Sequence, residues 1–256
     1  AINLIKNSGH DVISQHFTKE ELESGILKEF DAVIIRSATK LTNEVIQSSS
    51  NGNLKIIGRA GVGVDNIDIE SATNNRIMVF NTPSASTQSV VELTISHLLA
   101  CVRKIPEATQ GIKAGKWEKK TLRGTELSGK NLGFIGFGRI AQGVAKIAKS
   151  LGMSLHAYDP YLPIKVAKTH GCVLHSKVED VFSRCTHITI HCQHNPETHH
   201  LVDLNMMSKM PKIGADGSRC GNHIVNCARG GIVDETDLLE ALNSEILSSA
   251  ALDVFE

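Results

Sequence analysis

The run Asn131-Leu-Gly-Phe-Ile-Gly136-Phe-Gly138-Arg-Ile-Ala141 limits the possible folds more than any other part of the chain. A short apolar stretch feeds straight into a glycine-rich turn and then into an amphipathic segment, an order that predicts strand, tight turn and helix. Ile140, Val144, Ile147 and Leu151 recur at spacings of four, three and four, so the segment after the turn can lay one apolar stripe on a sheet. Gly136 permits the tight turn, Gly138 lets bare backbone approach a pyrophosphate, and Ala141 takes the third, close-packing position. The first amides of the helix would then face the anion at the positive end of the helix dipole. A glycine-rich turn alone is weak evidence, and its position decides. A second short strand, Ser154 to Tyr158, ends on Asp159, about 20 residues beyond the loop, where dinucleotide-binding units carry an acid. A carboxylate there accepts hydrogen bonds from both ribose hydroxyls and repels a 2′-phosphate, so the expected cofactor is NAD rather than NADP. The competing reading is that Asp159 merely caps a turn before Pro160.

With 256 residues the chain is long for one core and comfortable for two domains. Its 27 basic and 27 acidic residues cancel, which argues against a nucleic-acid or acidic-membrane partner, since these call for a basic patch. The apolar runs are strand-length, far short of the roughly 20 residues of a membrane span. Cys101, Cys172, Cys185, Cys192, Cys220 and Cys227 lie far apart with no C-x-x-C pair, so neither a zinc site nor a disulfide framework is expected, and a reducing cytoplasm is the simplest setting. Residue 1 is not Met, and Ile2, Leu4 and Ile5 ahead of Asn7-Ser-Gly9 resemble the tail of a helix closed by glycine. Ser249 to Phe255 is a buried-type strand close to the last residue. The expectation is a piece of a longer protein.

Strand-like runs alternate with helical patterns, which predicts an α/β fold of two doubly wound parallel-sheet domains, the second of Rossmann type. Expected strands are Asp11 to Ser14, Ala32 to Arg36, Leu54 to Gly58, Ile77 to Phe80, Ile188 to Cys192, Ile224 to Asn226 and Ala250 to Val254, besides the two around the glycine loop. Helices are expected at Lys19 to Phe30, Asn43 to Ser49, Asn66 to Asn74, Val90 to Arg103 and Pro106 to Lys116. The turn-rich Asn81-Thr-Pro-Ser-Ala-Ser86 marks the junction, giving a substrate domain at 1–83 and an NAD-binding domain at 84–256. Ile213 to Asn222, rich in glycine and polar residues, is expected to be a surface loop.

Several segments together resemble one family, the D-isomer-specific 2-hydroxyacid dehydrogenases. They are Ile35 to Thr42, Gly58-Arg-Ala-Gly-Val-Gly-Val-Asp-Asn-Ile-Asp68, Gly115 to Lys120, Gly136 to Ile140, Asn226-Cys-Ala-Arg-Gly-Gly-Ile-Val-Asp234 and Ala251 to Phe255. The first two and the Cys-Ala-Arg run are more specific than a generic dinucleotide fingerprint, and within the family the likeness is to the branch that oxidises D-3-phosphoglycerate. The resemblance implies NAD-dependent oxidation of that acid to 3-phosphohydroxypyruvate, toward serine. Alternatives are another D-2-hydroxyacid dehydrogenase or glyoxylate-type reductase, or an NAD-gated binding module like the corepressors of this fold; Arg36 and the Lys119, Lys120, Arg123 group suit an anionic metabolite and argue against the last. The family also implies a homodimer or tetramer joined through the region from Val90 to Glu126.

Residue roles follow. Arg229, after an expected strand, can hold the carboxylate or carbonyl of a 2-oxo acid in a forked grip and stabilise charge during hydride transfer, and it matches the family's catalytic arginine. Gly61, Val62 and Gly63 could offer amides as an anion nest, and by resemblance Gly61 and Val62 touch substrate, with Val62 also at the nicotinamide. Arg36, Ser37 and Arg59 are the remaining expected substrate contacts. For the cofactor the resemblance adds Arg139 and Ile140 at the pyrophosphate, Cys192 beside the adenosine, Cys227 at the nicotinamide ribose and Asp253 near the carboxamide. Gln193 and His194 follow Cys192 where the family usually has Pro-Leu. The acid/base histidine and its glutamate partner fall beyond Glu256 by family spacing, so residues 1–256 alone should bind NAD yet turn over poorly. No metal site is expected.

Overall fold

The computed structural model describes residues 2–256, so Ala1, where the first expected domain begins, lies outside the described residues. The chain divides into two compact units, Ala1–Ala85 and Ser86–Glu256.

In the first unit the elements run α1 (Ile2–Asn7), α2 (Lys19–Glu23), β1 (Ala32–Ile35), α3 (Asn43–Ser50), β2 (Ile56–Arg59), α4 (Ile69–Asn74) and β3 (Met78–Asn81). The three strands are parallel and sit in the order β1-β2-β3. Leu22, Leu27, Leu41, Val45, Ile46, Leu54 and Ile57 close the core beneath them. Thr18 opens α2 with a capping box, its hydroxyl accepting from the Glu21 amide while the Glu21 carboxylate accepts from the Thr18 amide. The helix expected to reach Phe30 stops early because Gly25 adopts φ +84°, and a Cβ there would meet the Ser48 carbonyl oxygen at 2.6 Å. A short 3-10 turn, Ile26–Glu29, follows instead. Asp11 to Ser14 forms no strand: Ile13 is 66% exposed, with no neighbouring ladder to join.

The second unit begins with α5 (Thr87–Arg103) and α6 (Ile105–Lys113). It continues through β4 (Asn131–Ile135), α7 (Arg139–Ser150), β5 (Ser154–Tyr158), α8 (Ile164–Thr169), β6 (Cys172–His175), α9 (Val178–Phe182) and β7 (His187–Ile190), then α10 (Leu204–Ser208), β8 (His223–Asn226), α11 (Glu235–Asn243) and β9 (Ser249–Leu252). All six strands are parallel in the order β6-β5-β4-β7-β8-β9. Chain direction across the sheet therefore reverses between β4 and β7, and in open parallel sheets ligands settle at the carboxyl ends beside such a reversal. Alternate residues feed two cores. Leu132, Phe134, Leu155 and Val225 face α5 and α7, whereas Ile135, Ile188, Ile190 and Ile224 belong with Val181, Met207, Leu238 and Ala241 of the opposite layer. Both faces are covered, as a parallel sheet requires.

Helix α7 buries a narrower face than its apolar stripe suggests. Ala141, Val144, Ala145 and Ala148 are fully buried, while Ile140, Ile147 and Leu151 pack along the flank. Small residues are needed because α5 comes so close that a Cβ on Gly143 would lie 2.6 Å from Val91 Cγ2. The expected surface loop Ile213 to Asn222 is pinned down. Asp216 accepts from the buried Lys130 ammonium at 2.6 Å, and Cys220 and Asn222 are buried. The Lys130 hydrogen bond holds the Asp216 carboxyl down at about 2.

Two histidine pairs lie across adjacent strands. His187 faces His223 in register with ring centroids 4.9 Å apart, and His156 Nδ1 lies 2.9 Å from His175 Nε2. Burial, then the neighbouring histidine, pushes His156 down to about 4 and His187 to about 3. His175 and His223 are also lowered, chiefly by burial. Neutral when folded and protonated near pH 6.5 when unfolded, these rings make the unfolded chain bind more protons below that pH. Stability should thus fall as pH drops from about 6.5 toward 3. Urea midpoints measured from pH 7 to 5 should decline, and a His156→Gln, His187→Gln variant should show a shallower decline; an unchanged slope in that variant would refute the assignment.

Candidate active site

Each unit gathers its expected site residues at the carboxyl edge of its own parallel sheet. In the second unit, β4 is followed by Gly136 at φ +85°, where a Cβ would meet the Cys192 amide nitrogen at 2.8 Å and the His191 carbonyl carbon at 2.9 Å. Only glycine lets the turn pass this close to the end of β7. Gly138 has nothing within 4 Å of a built Cβ, so the space before α7 is open, and as N-cap it supplies no side-chain hydrogen bond to the first turn. Such a helix start is the kind of place where backbone amides can meet an anion. Ala141 is fully buried, consistent with a close-packing position, and Arg139 and Ile140 form the first turn.

Asp159, just beyond β5, does two things at once. Its Oδ2 accepts from the Phe137 amide at 2.9 Å, fastening the glycine turn, and its Oδ1 accepts from the Tyr161 amide at 3.0 Å. The turn-capping reading is therefore present in the geometry, but it uses only half of the acceptor capacity. An ionised carboxylate has about four lone-pair sites, which leaves two for a diol. Cys192, at the end of β7, is pushed up to about 11 by burial, and burial likewise raises Cys227, beside β8. Both stay protonated at neutral pH, small and apolar in character rather than nucleophilic.

Arg229 sits in a turn fixed by Asn226, which is 2% exposed. The Asn226 side-chain amide donates to the Arg229 carbonyl at 2.9 Å, and its oxygen accepts from the Ala228 amide at 3.0 Å. Arg229 Nη1 donates to the Ala228 carbonyl at 2.7 Å, and the Asp253 amide donates to the Asn226 carbonyl, bringing Asp253 to the same edge. Gly230 is obligatory because the Phe255 carbonyl occupies the place its Cβ would take.

In the first unit, Arg36 and Ser37 follow β1, Arg59 ends β2, and the Gly61-Val62 loop follows it. Asn66 joins them: its amide donates to the carbonyls of Arg36 at 2.9 Å and Thr39 at 2.6 Å, while its oxygen accepts from Arg59 Nε at 3.3 Å. Asn81, ending β3, donates to the Val62 carbonyl at 2.6 Å. The expected nest needs one correction. The Gly61 amide turns back onto the Arg59 carbonyl at 2.9 Å and so does not point out of the loop as an open donor. The Arg59 guanidinium fills the space a Gly61 Cβ would need, so the glycine serves close approach. Arg59 itself is only 9% exposed and donates to the Ala60 carbonyl, which makes it a brace of the loop more than an open anion contact. Asn66, Asn81 and Asn226 escaped the sequence reading as site residues, although two of them lie inside the quoted family segments.

His191 is pushed down to about 3 by burial, bonded at Nε2 to Thr189 Oγ1 and stacked near Phe134. All six cysteines are free thiols. His199, His200 and Glu256 bring ligand atoms within 4.8 Å of one another. No helix among the described residues is long and apolar enough to cross a membrane.

Comparison with known proteins gives this edge its context. Residues 95–256 match the model of the D-isomer specific 2-hydroxyacid dehydrogenase, NAD binding domain. D-3-phosphoglycerate dehydrogenase of Methanocaldococcus jannaschii is 45% identical over 256 residues, 100% of this chain but 47% of that protein. Hydroxypyruvate reductase of Thermotoga maritima is 44% identical over 246 residues, 96% of this chain and 76% of that protein. Among solved structures, D-lactate dehydrogenase of Aquifex aeolicus complexed with NAD and lactic acid superposes with a TM-score of 0.85 at 27% identity, covering 100% of this chain and 74% of that one. The chain spans less than half the length of curated relatives such as the D-3-phosphoglycerate dehydrogenases it matches. With a parallel sheet reversing at a glycine turn, an acid at the next strand and a family match over more than half its length, the chain belongs to the D-isomer-specific 2-hydroxyacid dehydrogenases.

Proposed function

We propose that this chain carries the NAD-binding and substrate-binding parts of an enzyme oxidising D-3-phosphoglycerate to 3-phosphohydroxypyruvate. The observation that carries the reading is the carboxyl edge of the second sheet, where an open, uncapped helix start faces an acid with acceptor capacity to spare. NAD when bound supplies the hydride acceptor. The chain's own groups do the rest. Gly136, Gly138, Arg139 and Ile140 receive the pyrophosphate, Asp159 takes the ribose diol, Cys192 walls the adenosine, and Cys227 and Asp253 border the nicotinamide end. Arg229 grips the substrate carboxylate and carbonyl oxygen and stabilises the charge that develops there. In the first unit the Val62 and Gly63 amides hold an anionic group, Gly61 and Arg59 shape that loop, and Arg36 and Ser37 meet the phosphate. The proton-transfer role is assigned to no histidine among residues 2–256. A cytoplasmic setting accords with six free thiols, and association as a dimer or tetramer with the exposed Ile105, Ile112 and Trp117.

A second reading, reduction of hydroxypyruvate or a similar unphosphorylated 2-oxo acid, is favoured by the likeness to the Thermotoga maritima protein. Steady-state rates of the whole protein across a panel of 2-hydroxy acids separate the two. The first predicts kcat/KM for D-3-phosphoglycerate at least tenfold above D-glycerate and D-lactate; the reverse order would transfer the assignment to the second.

Asp159→Ala should raise the NAD KM about tenfold or more, equivalent to about 1.4 kcal/mol, and relax discrimination against NADP. Asp159→Asn keeps an acceptor for the Phe137 amide, so it should bind NAD better than the alanine variant while still admitting NADP. Unaltered cofactor preference in both would remove the ribose role. Arg229→Lys, which cannot fork, should lower kcat roughly 10²-fold with little change in NAD affinity; near-normal kcat would reassign Arg229 to loop structure.

A further inference from the structure

Away from the cofactor turn, one group of side chains has no part in the proposed reaction. His199 and His200 are consecutive, yet their rings stack with centroids 3.9 Å apart and planes within 24°. His200 adopts φ +49°, a left-handed conformation uncommon outside glycine, and its amide is tied to the Gly231 carbonyl at 2.8 Å. With its backbone so held, the His200 ring is clasped from both sides. Nδ1 lies 3.1 Å from Asp234 Oδ2, and Nε2 lies 2.9 Å from Glu256 Oε2.

Asp234 is itself immobilised, because its other oxygen accepts from the Thr236 and Asp237 amides at 3.0 Å each as the N-cap of α11. A carboxylate fixed behind one imidazole nitrogen while the opposite nitrogen faces a ligand is the usual outer support of a metal-bound histidine. His194 Nε2, 3.3 Å from His199 Nδ1, provides a comparable neighbour for the second ring. The spacing suits a small cation. Ligands 2.0–2.2 Å from a tetrahedral zinc stand about 3.3–3.6 Å from one another, so the 2.9 Å His200–Glu256 contact opens by roughly half an ångström while wider separations in the group, all within 4.8 Å, close.

We propose that His199, His200 and Glu256 form a site for a zinc-class divalent cation, with Asp234 as outer partner of His200 and the fourth position open to solvent. Two imidazoles and one carboxylate match zinc, nickel or copper, whereas magnesium and calcium call for oxygen ligands. Binding would join three separate stretches: the loop after β7, the start of α11 and the segment after β9.

Calorimetric titration of chelator-treated protein with zinc chloride tests this. One equivalent should bind, cobalt(II) should develop the intense visible absorption of a tetrahedral site, and magnesium chloride should give no heat. His199→Ala and His200→Ala should each weaken zinc at least tenfold, and Glu256→Gln should weaken it without disturbing the fold, while His10→Ala should not. NAD titration of the same samples reports folding independently, so the zinc result and the cofactor reading can fail separately. Absence of zinc binding in protein that still binds NAD, or equal zinc affinity in all variants, would overturn the site.

Discussion

The bond from the Phe137 amide to the Asp159 carboxylate is the constraint on which the cofactor edge depends. It joins the turn after one strand to the residue ending the next, and the Gly136 amide reinforces it by donating to the Tyr158 carbonyl at 2.8 Å. The turn therefore cannot drift from the acid. A glycine loop loose relative to Asp159 would present its amides and its carboxylate at varying separations, and a ligand would have to bear the entropy of ordering them. The protein meets that cost on folding, at the same time as it covers both faces of the parallel sheet.

Asparagine performs the matching service at the other loops. Asn226 closes the turn bearing Arg229, Asn66 spans the loops after β1 and β2, and Asn81 holds the loop with Val62. A primary amide carries both donors and an acceptor on one short, uncharged side chain, so it can satisfy two strands' loose backbone groups without adding a charge beside an anionic ligand. These side chains tie together the loops on which the expected site residues lie.

Much of the architecture was legible. The apolar run into Gly136, the helical spacing behind it and the acid at 159 are local signals, and local signals survive into the structure because β4, α7 and β5 each follow their own periodicity. The register of β5 matches the expected Ser154 to Tyr158. Tertiary demands hid the rest. Strand β6 was not foreseen because Val173 is exposed and His175 ends its short apolar run, so it lacks the pattern of a buried strand. Asp11 to Ser14 had the composition of a strand but no neighbour to pair with. The stretch around Asp216 looked solvated because its tie to Lys130 spans 86 positions in sequence. In the same way the grouping of His199 and His200 with Glu256 depends on a return of the chain that spacing alone does not disclose. At the site, strand ends named the chemical groups, but the amides that steady them could be recognised only once their partners were in place.

The contact between Gly143 and Val91 carries a wider consequence. Helix α7 starts at the glycine turn and lies against α5 along its side, with no room for even a methyl group at the crossing. Any movement of α5 along its axis must either carry the start of α7 with it or break a fitted knob from its notch. A change of volume at Val91 or Gly143 would therefore be felt at the far end of α7, where the chain leaves the glycine turn.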